Sequence, residues 1–345
     1  MTPFRVGITH DFAPDGHIAG WIEEPVAELL APLSELEWTF LPEMGAEIVA
    51  AELFSCDAVI SGQLTWTAES VSGVDRLTLI AHWGIGVDKI DLRAATENDI
   101  LVTSSPSSAT HESVAESALT FMLALSTHLF EKDRLTKQGR ALQARQMPGT
   151  LLRDHVIGTV GLGATARKLV EYVRPLGPLR FLAHDPYVTA DVAAAIGVQL
   201  ADLEVVMAES DYLVVMCPLT DQTRGLISAE LLRTMKPSAF LLNVARGEIV
   251  NQVALTKAID EGRIAGAALD VSDPEPSEIG DPILSNPKII TTGHAMAWTS
   301  EGLCAACEAP CRAVANVYAG RLPMHVVNQD VLLRAGFRAK LERRR

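Results

Sequence analysis

Long apolar runs are missing from this sequence. The longest stretches, such as ALTFMLAL, fall far short of the ~20 apolar residues that a membrane-spanning helix needs. The N-terminal segment MTPFRVGITHDF also lacks the basic stretch followed by an apolar run that marks a secretory signal. We therefore expect a cytoplasmic protein rather than a membrane or secreted one.

Positive charge is also scarce. The 29 Lys and Arg residues face 43 Asp and Glu residues, and the net charge of −14 repels nucleic acid and anionic membranes. We expect neither as a partner, and an anionic substrate would need a local cationic pocket. The one basic cluster, RAKLERRR at residues 338–345, is predicted to be a solvated, frayed chain end without a function.

Cysteine is infrequent and odd in number, with five residues, which favours reduced thiols over a disulfide framework. Cys304, Cys307 and Cys311 have the spacing i, i+3 and i+7 in EGLCAACEAPCRAVANVY, so a helix places them on one face. Small apolar side chains on one face are typical of packing against a core. We predict packing for all three and no metal site.

The chain is longer than one hydrophobic core usually supports, so we predict two domains. Short apolar strands alternate with helical segments in two blocks, which is typical of α/β folds with parallel sheets. The predicted smaller domain comprises residues 1–102 and 296–345. The predicted larger domain, with a doubly wound sheet, comprises residues 103–295, including one long helix from about His111 to Gln146. The strands expected are FRVGIT, LEWTFL, DAVIS, LTLIAHW and ILVTS in the first domain and DHVIGTV, LRFLAH, DYLVVM, SAFLLNV, AGAALD and KIITT in the second.

A glycine-rich turn follows the first strand of the second block. In VIGTVGLGATARKLVEYV, Gly161, Gly163 and Ala166 form G-x-G-x-x-A between a strand and a helix, the pattern of a dinucleotide-binding turn. The helix N-terminus then offers amide donors to a pyrophosphate. We predict that Gly161, Leu162, Gly163, Ala164 and Thr165 bind the cofactor.

Asp185 follows the next strand and lies 22 residues after Gly163 (185 − 163 = 22). A carboxylate at that place accepts hydrogen bonds from the ribose hydroxyls of NAD and repels the 2′-phosphate of NADP. The competing interpretation is an aspartate that only closes the turn before Pro186. We predict an NAD(H) site that disfavours NADP(H).

Three further stretches follow predicted strands of the second block: NVARGEIV with Arg246, ALDVSDPEP with Asp270 and Glu275, and TTGHAMAW with His294. The carboxyl ends of parallel strands meet at one edge of a sheet, so these side chains can converge. Taken alone, a histidine among small apolar residues is more often structural than catalytic. The motifs elsewhere in the sequence decide whether His294 is structural or catalytic.

Several motifs in the same order resemble those of the D-2-hydroxyacid dehydrogenase family, over nearly the whole chain. They are the glycine turn GTVGLGATA, the stretches CPLTDQTRGLI, MKPSAFLLNVARGEIV and LDVSDPEP, and, in the first domain, WGIGVDKID. The resemblance implies an NAD-dependent oxidoreductase that interconverts a 2-oxo acid and its D-2-hydroxy acid. It implies that residues 1–102 and 296–345 form a flavodoxin-like α/β substrate domain and residues 103–295 an α/β Rossmann cofactor domain. It also implies a homodimer, through the long helix after His111.

By this resemblance, Arg246 binds substrate, His294 is the acid/base, and Glu275 is its partner. A guanidinium can grip the carboxylate and carbonyl of a 2-oxo acid, and Glu275 favours the charged imidazolium that donates the proton. The resemblance also implies cofactor contacts from Arg246, His294 and a further set: Cys217, Pro218, the pair Thr223 and Arg224, Val244, Ala245 and Asp270. The substrate contacts that we expect besides Arg246 are Gly84, Ile85, Gly86, Val87, Gln63 and Trp298.

The sequence departs from the family pattern in four places. Gly293 stands where proline is usual, Ser272 replaces an aromatic residue, Met216 replaces a histidine, and Pro310 should kink or end the last long helix. None of these removes a catalytic group. A dinucleotide-sensing co-repressor of the same fold stays open as an alternative function, because such proteins retain a similar triad.

Overall fold

The computed structural model describes residues 3–342 and divides into two compact units. One unit runs through Thr110 and resumes at Ser300, and the other spans His111–Thr299. The chain therefore passes between the units at residues 110/111 and 299/300, after the boundaries of 102/103 and 295/296 that the sequence predicted. The segment after residue 103 stays with the first unit because Ser105 donates from its amide to the Gly84 carbonyl (2.8 Å).

Twelve strands and thirteen α-helices make up the described chain. The strands are β1 (Phe4–Ile8), β2 (Leu36–Phe40), β3 (Ala58–Ser61), β4 (Leu79–His82), β5 (Leu101–Thr103), β6 (Val156–Val160), β7 (Arg180–His184), β8 (Val198–Leu200), β9 (Tyr212–Val215), β10 (Phe240–Asn243), β11 (Gly266–Leu269) and β12 (Ile289–Thr291). The helices are α1 (Glu23–Leu29), α2 (Leu92–Glu97), α3 (Ser108–Ser126), α4 (Leu129–Lys137), α5 (Ala141–Ala144), α6 (Ala164–Val173), α7 (Ala190–Ala195), α8 (Leu203–Glu209), α9 (Ala229–Leu232), α10 (Gln252–Asp260), α11 (Pro282–Ser285), α12 (Ser300–Tyr318) and α13 (Ala335–Glu342).

The first unit contains a five-stranded parallel sheet in the order β2-β1-β3-β4-β5. This is the flavodoxin-like order, and its strand order reverses between β1 and β3. Along β3, Ala58 and Ile60 pack into one hydrophobic cluster and Val59 into another, so both faces of the sheet are covered. A sheet buried on both faces produces the continuous apolar runs from which these strands were predicted.

The second unit contains a seven-stranded parallel sheet in the order β12-β11-β10-β9-β6-β7-β8. It is the doubly wound Rossmann order with one extra strand, and its order reverses between β6 and β9. The predicted α/β fold class is therefore confirmed for both units. The edge strand β8 was not predicted, because three residues with a polar centre, VQL, give too short a pattern.

The predicted long helix from His111 to Gln146 is wrong. The chain there forms α3, α4 and α5, with a bend of 56° between the first two. His128 adopts a left-handed conformation (φ +55°) at the first break, and Gly139 (φ +75°) lies at the second. A helix cannot continue through a left-handed residue. Hydrophobic spacing carried no sign of either break.

Pro310 does not end the last long helix, because α12 continues from Ser300 to Tyr318. The prediction that three cysteines pack on one face of α12 is correct for Cys307 and Cys311, which are fully buried, and wrong for Cys304, which is exposed. Among residues 3–342, no cluster of three or more His, Cys, Asp or Glu side chains is arranged to hold a metal ion.

The basic cluster at the end of the chain is only partly described. Its part up to Glu342 belongs to α13, where Lys340 donates from Nζ to the carbonyls of Leu77 (2.8 Å) and Asn98 (2.9 Å). That part is anchored rather than frayed, which corrects the sequence-based interpretation, and residues 343–345 lie outside the described range. Within that range no single helix is long and apolar enough to cross a membrane, and the bent pair α3 and α4 satisfies the criterion by length and composition alone.

Candidate active site

The glycine turn joins β6 to α6 in the second unit. Gly161 has φ +98°, and a Cβ there would lie 2.9 Å from the Cys217 amide nitrogen, so glycine is required by both conformation and space. A Cβ on Gly163 would meet only open space, so the protein interior does not require glycine at that position. A close approach by a ligand would require it. Ala166 is buried, as expected for a small residue between helix and sheet.

The start of α6 is available to an anion. Gly163 is the N-cap residue and has no side chain, so the first amides of this ten-residue helix are not capped by it. Ala164 and Thr165 occupy the first two helical positions. Amide donors and the helix dipole at this end suit the pyrophosphate of a dinucleotide.

Asp185 follows β7 and is held beside the glycine turn. Its Oδ2 accepts the amide of Leu162 at 2.8 Å, and its Oδ1 accepts the amide of Tyr187 at 2.9 Å. The carboxylate therefore closes its own turn, as the competing interpretation expected, and also supports the glycine turn, while its contact with a ribose stays a prediction. It is half-buried and keeps lone pairs for further donors.

The CPLT segment follows β9 and passes close to Gly161. Burial raises the pKa of the Cys217 thiol to about 11, with a smaller contribution from the Asp185 carboxylate, so the thiol is neutral at physiological pH. Thr223 donates from its hydroxyl to the Pro218 carbonyl (2.7 Å), which closes the turn. Arg224 lies 3.7 Å from Glu248 in an exposed ion pair, so its observed contact is with protein.

Arg246 follows β10, and a buried asparagine fixes the backbone around it. The Asn243 side chain donates from Nδ2 to the Arg246 carbonyl (2.8 Å) and accepts the Ala245 amide at Oδ1 (3.1 Å), which also constrains Val244 between them. Asn243 is 1% exposed and was not singled out in the sequence, although it lies in the NVARG motif. The arginine itself is half-buried and donates from Nη1 to the Ala245 carbonyl (2.8 Å).

Asp270 follows β11 and organises the loop that carries His294. Its Oδ1 accepts the Thr292 hydroxyl (2.6 Å) and the Met296 amide (3.0 Å), and its backbone carbonyl accepts the His294 amide. The side chain is 5% exposed. Asp270 therefore holds the histidine loop from both sides, a role that the sequence did not indicate. Its predicted contact with the nicotinamide stays a prediction.

His294 and Glu275 form a direct pair, with 2.7 Å between Nδ1 of the histidine and Oε1 of the glutamate. Their side chains are 34% and 29% exposed, so the histidine is no buried packing residue. Both Gly293 and His294 are left-handed (φ +61° and +60°). Proline cannot adopt that φ, so the loop conformation in this chain is incompatible with the proline of the family pattern.

Sheet register brings these groups to one edge. Asn243, Leu269 and Thr291 are neighbours across β10, β11 and β12, and Arg246, Asp270 and His294 follow them by one to three residues. A Cβ on Gly247 would lie 2.0 Å from the Ser272 carbonyl oxygen, so the loops after β10 and β11 are in close contact. The arginine, the carboxylates and the histidine therefore share the carboxyl edge of the second sheet. The glycine turn after β6 lies at the same edge.

The other departures from the family pattern are accommodated locally. Ser272 donates from its hydroxyl to the Pro274 carbonyl (2.8 Å). Met216 is partly buried against the core of the second unit. Trp298, a predicted substrate contact, is 38% exposed and lies four residues after His294, so it is no core residue.

The remaining predicted substrate residues lie in the first unit, at the carboxyl edge of its sheet. Gln63 follows β3, and the turn with Gly84, Ile85, Gly86 and Val87 follows β4. Gly84 has φ +120°, and Ile85 is exposed. Trp83, just before this turn, is buried against Phe12 and belongs to the core.

Asp11 is a residue of this first-unit edge that the sequence did not indicate. Its buried Oδ2 accepts the Gln63 amide (3.2 Å) and the Thr9 hydroxyl (2.9 Å). A Cβ on Gly62 would lie 2.3 Å from the same oxygen, so the loop after β3 fits closely around the carboxylate. The segment Thr9–Asp11, directly after β1, is the sequence signal that could have identified Asp11.

Comparison with known proteins agrees with this fold. The family described as D-isomer specific 2-hydroxyacid dehydrogenase, NAD binding domain, matches residues 119–296. A glyoxylate reductase of Korarchaeum cryptofilum is 32% identical over 291 residues, which is 83% of this chain and 87% of that protein. A solved D-lactate dehydrogenase from Aquifex aeolicus, complexed with NAD and lactic acid, has a TM-score of 0.77 at 25% identity, covering 90% of this chain and 94% of that chain.

A longer relative matches as well. A D-3-phosphoglycerate dehydrogenase of Archaeoglobus fulgidus is 36% identical over 243 residues, which is 70% of this chain and 46% of that protein. The chain thus spans about half the length of several dehydrogenases that it matches. The matched family domain covers the second unit, with the glycine turn, Arg246 and His294, and identity to the glyoxylate reductase extends over most of the rest. The chain belongs to the D-isomer specific 2-hydroxyacid dehydrogenase family.

Proposed function

We propose that this protein is an NAD-dependent dehydrogenase that interconverts a 2-oxo acid and the corresponding D-2-hydroxy acid. The observation that carries the proposal is the His294–Glu275 pair at 2.7 Å, on the same sheet edge as Arg246 and the glycine turn. A histidine held by a carboxylate is a general acid/base whose second ring nitrogen stays available to substrate.

The residues divide the chemistry between them. Arg246 binds the carboxylate and the carbonyl oxygen of the 2-oxo acid and polarises the carbonyl group. Glu275 accepts a hydrogen bond from Nδ1–H of His294 and holds the ring, so Nε2 is the nitrogen that donates a proton to the carbonyl oxygen. In the reverse direction the neutral imidazole takes the hydroxyl proton back. When bound, the nicotinamide cofactor supplies or receives the hydride.

The remaining predicted contacts belong to the same proposal. Asp270 would bind the nicotinamide carboxamide, and the segments containing Cys217, Pro218, Thr223 and Val244 would line the cofactor. In the first unit, the turn from Gly84 to Val87 would offer its amides to the substrate carboxylate, and Gln63 would contact substrate. Trp298 would contribute an apolar wall, which its exposure permits.

The cofactor preference that we propose is NAD(H) over NADP(H). The support is the half-buried Asp185 carboxylate, which is fixed by the Leu162 and Tyr187 amides and would repel a 2′-phosphate. The expected result is a higher kcat/KM for NADH than for NADPH with the same 2-oxo acid. A reversed ranking would remove Asp185 from the cofactor site.

We also propose a cytoplasmic homodimer. Four large apolar side chains on or just after α4 and α5 are exposed within a short stretch of the second unit: Leu129, Phe130, Leu142 and Leu151. Covering such a surface with a second copy is favourable, and five unpaired cysteines suit a reducing compartment. Light scattering should give twice the mass of the chain, and a monomeric mass at working concentration would contradict the dimer.

Steady-state oxidation of NADH with a panel of 2-oxo acids, from glyoxylate to acids with bulky side chains, tests the proposed function. Turnover with at least one acid, and formation of its D-2-hydroxy product, is the expected result. Tight NADH binding without turnover on the whole panel would instead favour a dinucleotide sensor of the same fold. The ranking of acids would define the substrate class.

A further inference from the structure

A histidine outside the catalytic set contacts the phosphate-binding helix. Nδ1 of His111, in the first turn of α3, lies 3.0 Å from the hydroxyl oxygen of Thr165, the second residue of α6. Both residues belong to the second unit and both are partly buried. The contact therefore joins the beginnings of two helices at the point where the glycine turn ends.

Thr165 stands at a position where its hydroxyl can serve a bound anion. It lies two residues after Gly163, at the end of α6 where the uncapped amides are. A hydroxyl has one proton to donate and two lone pairs to accept. The Thr165 hydroxyl can bind an anion only when its proton points towards that anion. A neighbouring group that donates to a lone pair of the hydroxyl oxygen cannot accept the proton, so the proton points away from that group.

The state of His111 suits the role of that donor. Burial lowers the pKa of His111, so the ring is neutral at physiological pH and carries one proton. The tautomer protonated at Nδ1 donates to the Thr165 hydroxyl oxygen and cannot accept its proton. The threonine must then donate elsewhere.

We propose that His111 is a positioning residue of the cofactor site: its Nδ1–H donates to Oγ1 of Thr165, so that the Thr165 hydroxyl donates to the cofactor pyrophosphate. The inference rests on the proposed function only in taking the glycine turn as a dinucleotide site. It assigns to His111 a contribution to cofactor affinity through Thr165, without contact between His111 and the reacting atoms.

A purely structural tie between α3 and α6 is the competing explanation, and the chain offers a matched control for it. Glu112, the next residue of α3, lies 3.6 Å from Lys168 of α6 in an ion pair that joins the same two helices. That pair does not involve Thr165. Loss of Glu112–Lys168 weakens the helix contact alone, whereas loss of His111 should also misdirect the threonine hydroxyl.

Fluorescence titration of NADH, beside chemical unfolding, on the full chain tests the proposal. His111→Leu and Thr165→Val should each weaken NADH binding by roughly 10-fold, since a hydrogen bond to a charged group is at stake. The double variant should bind NADH no more weakly than the weaker-binding single variant, because both substitutions act through the same hydrogen bond. His111→Asn, which can place an amide near Nδ1, should restore binding to within about 3-fold, and Glu112→Gln should leave the Kd unchanged.

Other outcomes would overturn the proposal. If His111→Leu lowers stability but not NADH affinity, as a structural tie would, or if the two single effects multiply in the double variant, the coupling through Thr165 is absent. A wild-type chain that does not bind NADH would also overturn it. The dehydrogenase proposal can fail separately. If the chain binds NADH with the expected coupling between His111 and Thr165 but turns over no 2-oxo acid, the proposed reaction is refuted and His111 remains a positioning residue.

Discussion

At the scale of single residues, the pairing of His294 with Glu275 decides what the histidine can do. A carboxylate 2.7 Å from Nδ1 fixes the ring and, in the proposed reaction, leaves Nε2 as the nitrogen that exchanges a proton with substrate. Asp270 holds the surrounding loop, because its carboxylate accepts from Thr292 and Met296 and its backbone carbonyl accepts the His294 amide. The acid/base and its orientation are thus built by different residues.

Replacing His294 with Ala should lower kcat by about 10²- to 10⁴-fold while NADH binding stays within a few-fold of wild type. The reason is that the proton donor is lost and the glycine turn is untouched. Stopped-flow or steady-state turnover beside an NADH titration measures both quantities. His325 is a suitable control, because it also has a left-handed backbone (φ +57°) yet lies in the first unit, and His325→Ala should keep kcat. Wild-type turnover in His294→Ala would remove His294 from the mechanism.

Replacing Arg246 with Lys should lower kcat/KM for the best 2-oxo acid by roughly 10- to 100-fold, because a point charge cannot reproduce two parallel hydrogen bonds. Asn243 bonds the backbone at this position rather than the side chain, so the fold should be retained. Arg263→Lys is the control, since Arg263 pairs with Glu261 on the surface (2.6 Å). Unchanged kcat and KM in Arg246→Lys would contradict the substrate role.

The sequence indicated Arg246, Glu275 and His294 as candidates, through their residue types, their order after successive strands and the family resemblance, and their roles stay predictions. It could not identify Asn243 or Asp11 as supports, since a buried polar residue beside a strand looks the same whether or not it holds a loop. It also could not give the left-handed conformation of Gly293 and His294. Backbone conformation at a loop is fixed by contacts from elsewhere in the chain, here from Asp270.

At the scale of elements, Gly161 and Gly163 in the turn before α6 are subject to different constraints. Gly161 is required by its φ of +98° and by the nearby Cys217 amide, whereas Gly163 has open space around it. The first glycine is explained by folding, whereas no contact within the protein explains the second. We expect the second position to be the one that a ligand approaches.

Gly161→Ala should lower the free energy of unfolding by about 1 to 3 kcal/mol, from backbone strain and from crowding against Cys217. Gly163→Ala is the matched variant and should leave stability within about 0.5 kcal/mol while weakening NADH binding. Denaturant unfolding and an NADH titration separate the two effects. Equal loss of stability in both variants would show that the turn has no position reserved for a ligand.

Elements with a strong, regular pattern of apolar residues could be predicted from the sequence. Helices that are interrupted by a left-handed residue could not. Buried parallel strands produce apolar runs, so eleven of the twelve strands could be located from the sequence, and only the three-residue edge strand β8 was missed. The division of the helical stretch into α3, α4 and α5 depends on the left-handed His128, which any sequence-spacing argument treats as an ordinary helical residue. Tertiary contacts override local propensity at such points.

At the scale of the whole molecule, the two units share one construction: a parallel sheet with covered faces and candidate site residues after the carboxyl ends of its strands. Parallel sheets were expected from the alternation of strands and helices, and the structure supplies their strand orders. The crossings near residues 110 and 299 could not be placed to the residue, because they depend on contacts such as Ser113 with Thr299 (2.6 Å) that carry no sequence signature.

Four of the five thiols couple stability to alkaline pH. Burial raises the pKa of Cys217 to about 11 and that of Cys307 to about 12, and it also raises the pKa of Cys56 and Cys311. A thiol whose folded-state pKa exceeds its unfolded-state value near 9 stabilises the protein fully below pH 9. That contribution is lost as the pH rises towards the folded-state value, because only the unfolded chain releases the proton.

The free energy of unfolding should therefore fall above pH 9, with each buried thiol contributing up to about 1.4 kcal/mol per pH unit. Two variants on α12 isolate one thiol: Cys307→Ala removes a fully buried group and should reduce the slope between pH 9 and 11, whereas Cys304→Ala removes an exposed group and should not. Cys307→Ala also costs stability at pH 7 through the lost packing, so the comparison uses slopes rather than absolute values. Urea unfolding at stepped pH gives both, and equal slopes for the two variants would mean that the Cys307 thiol ionises as readily in the folded protein as in the unfolded chain.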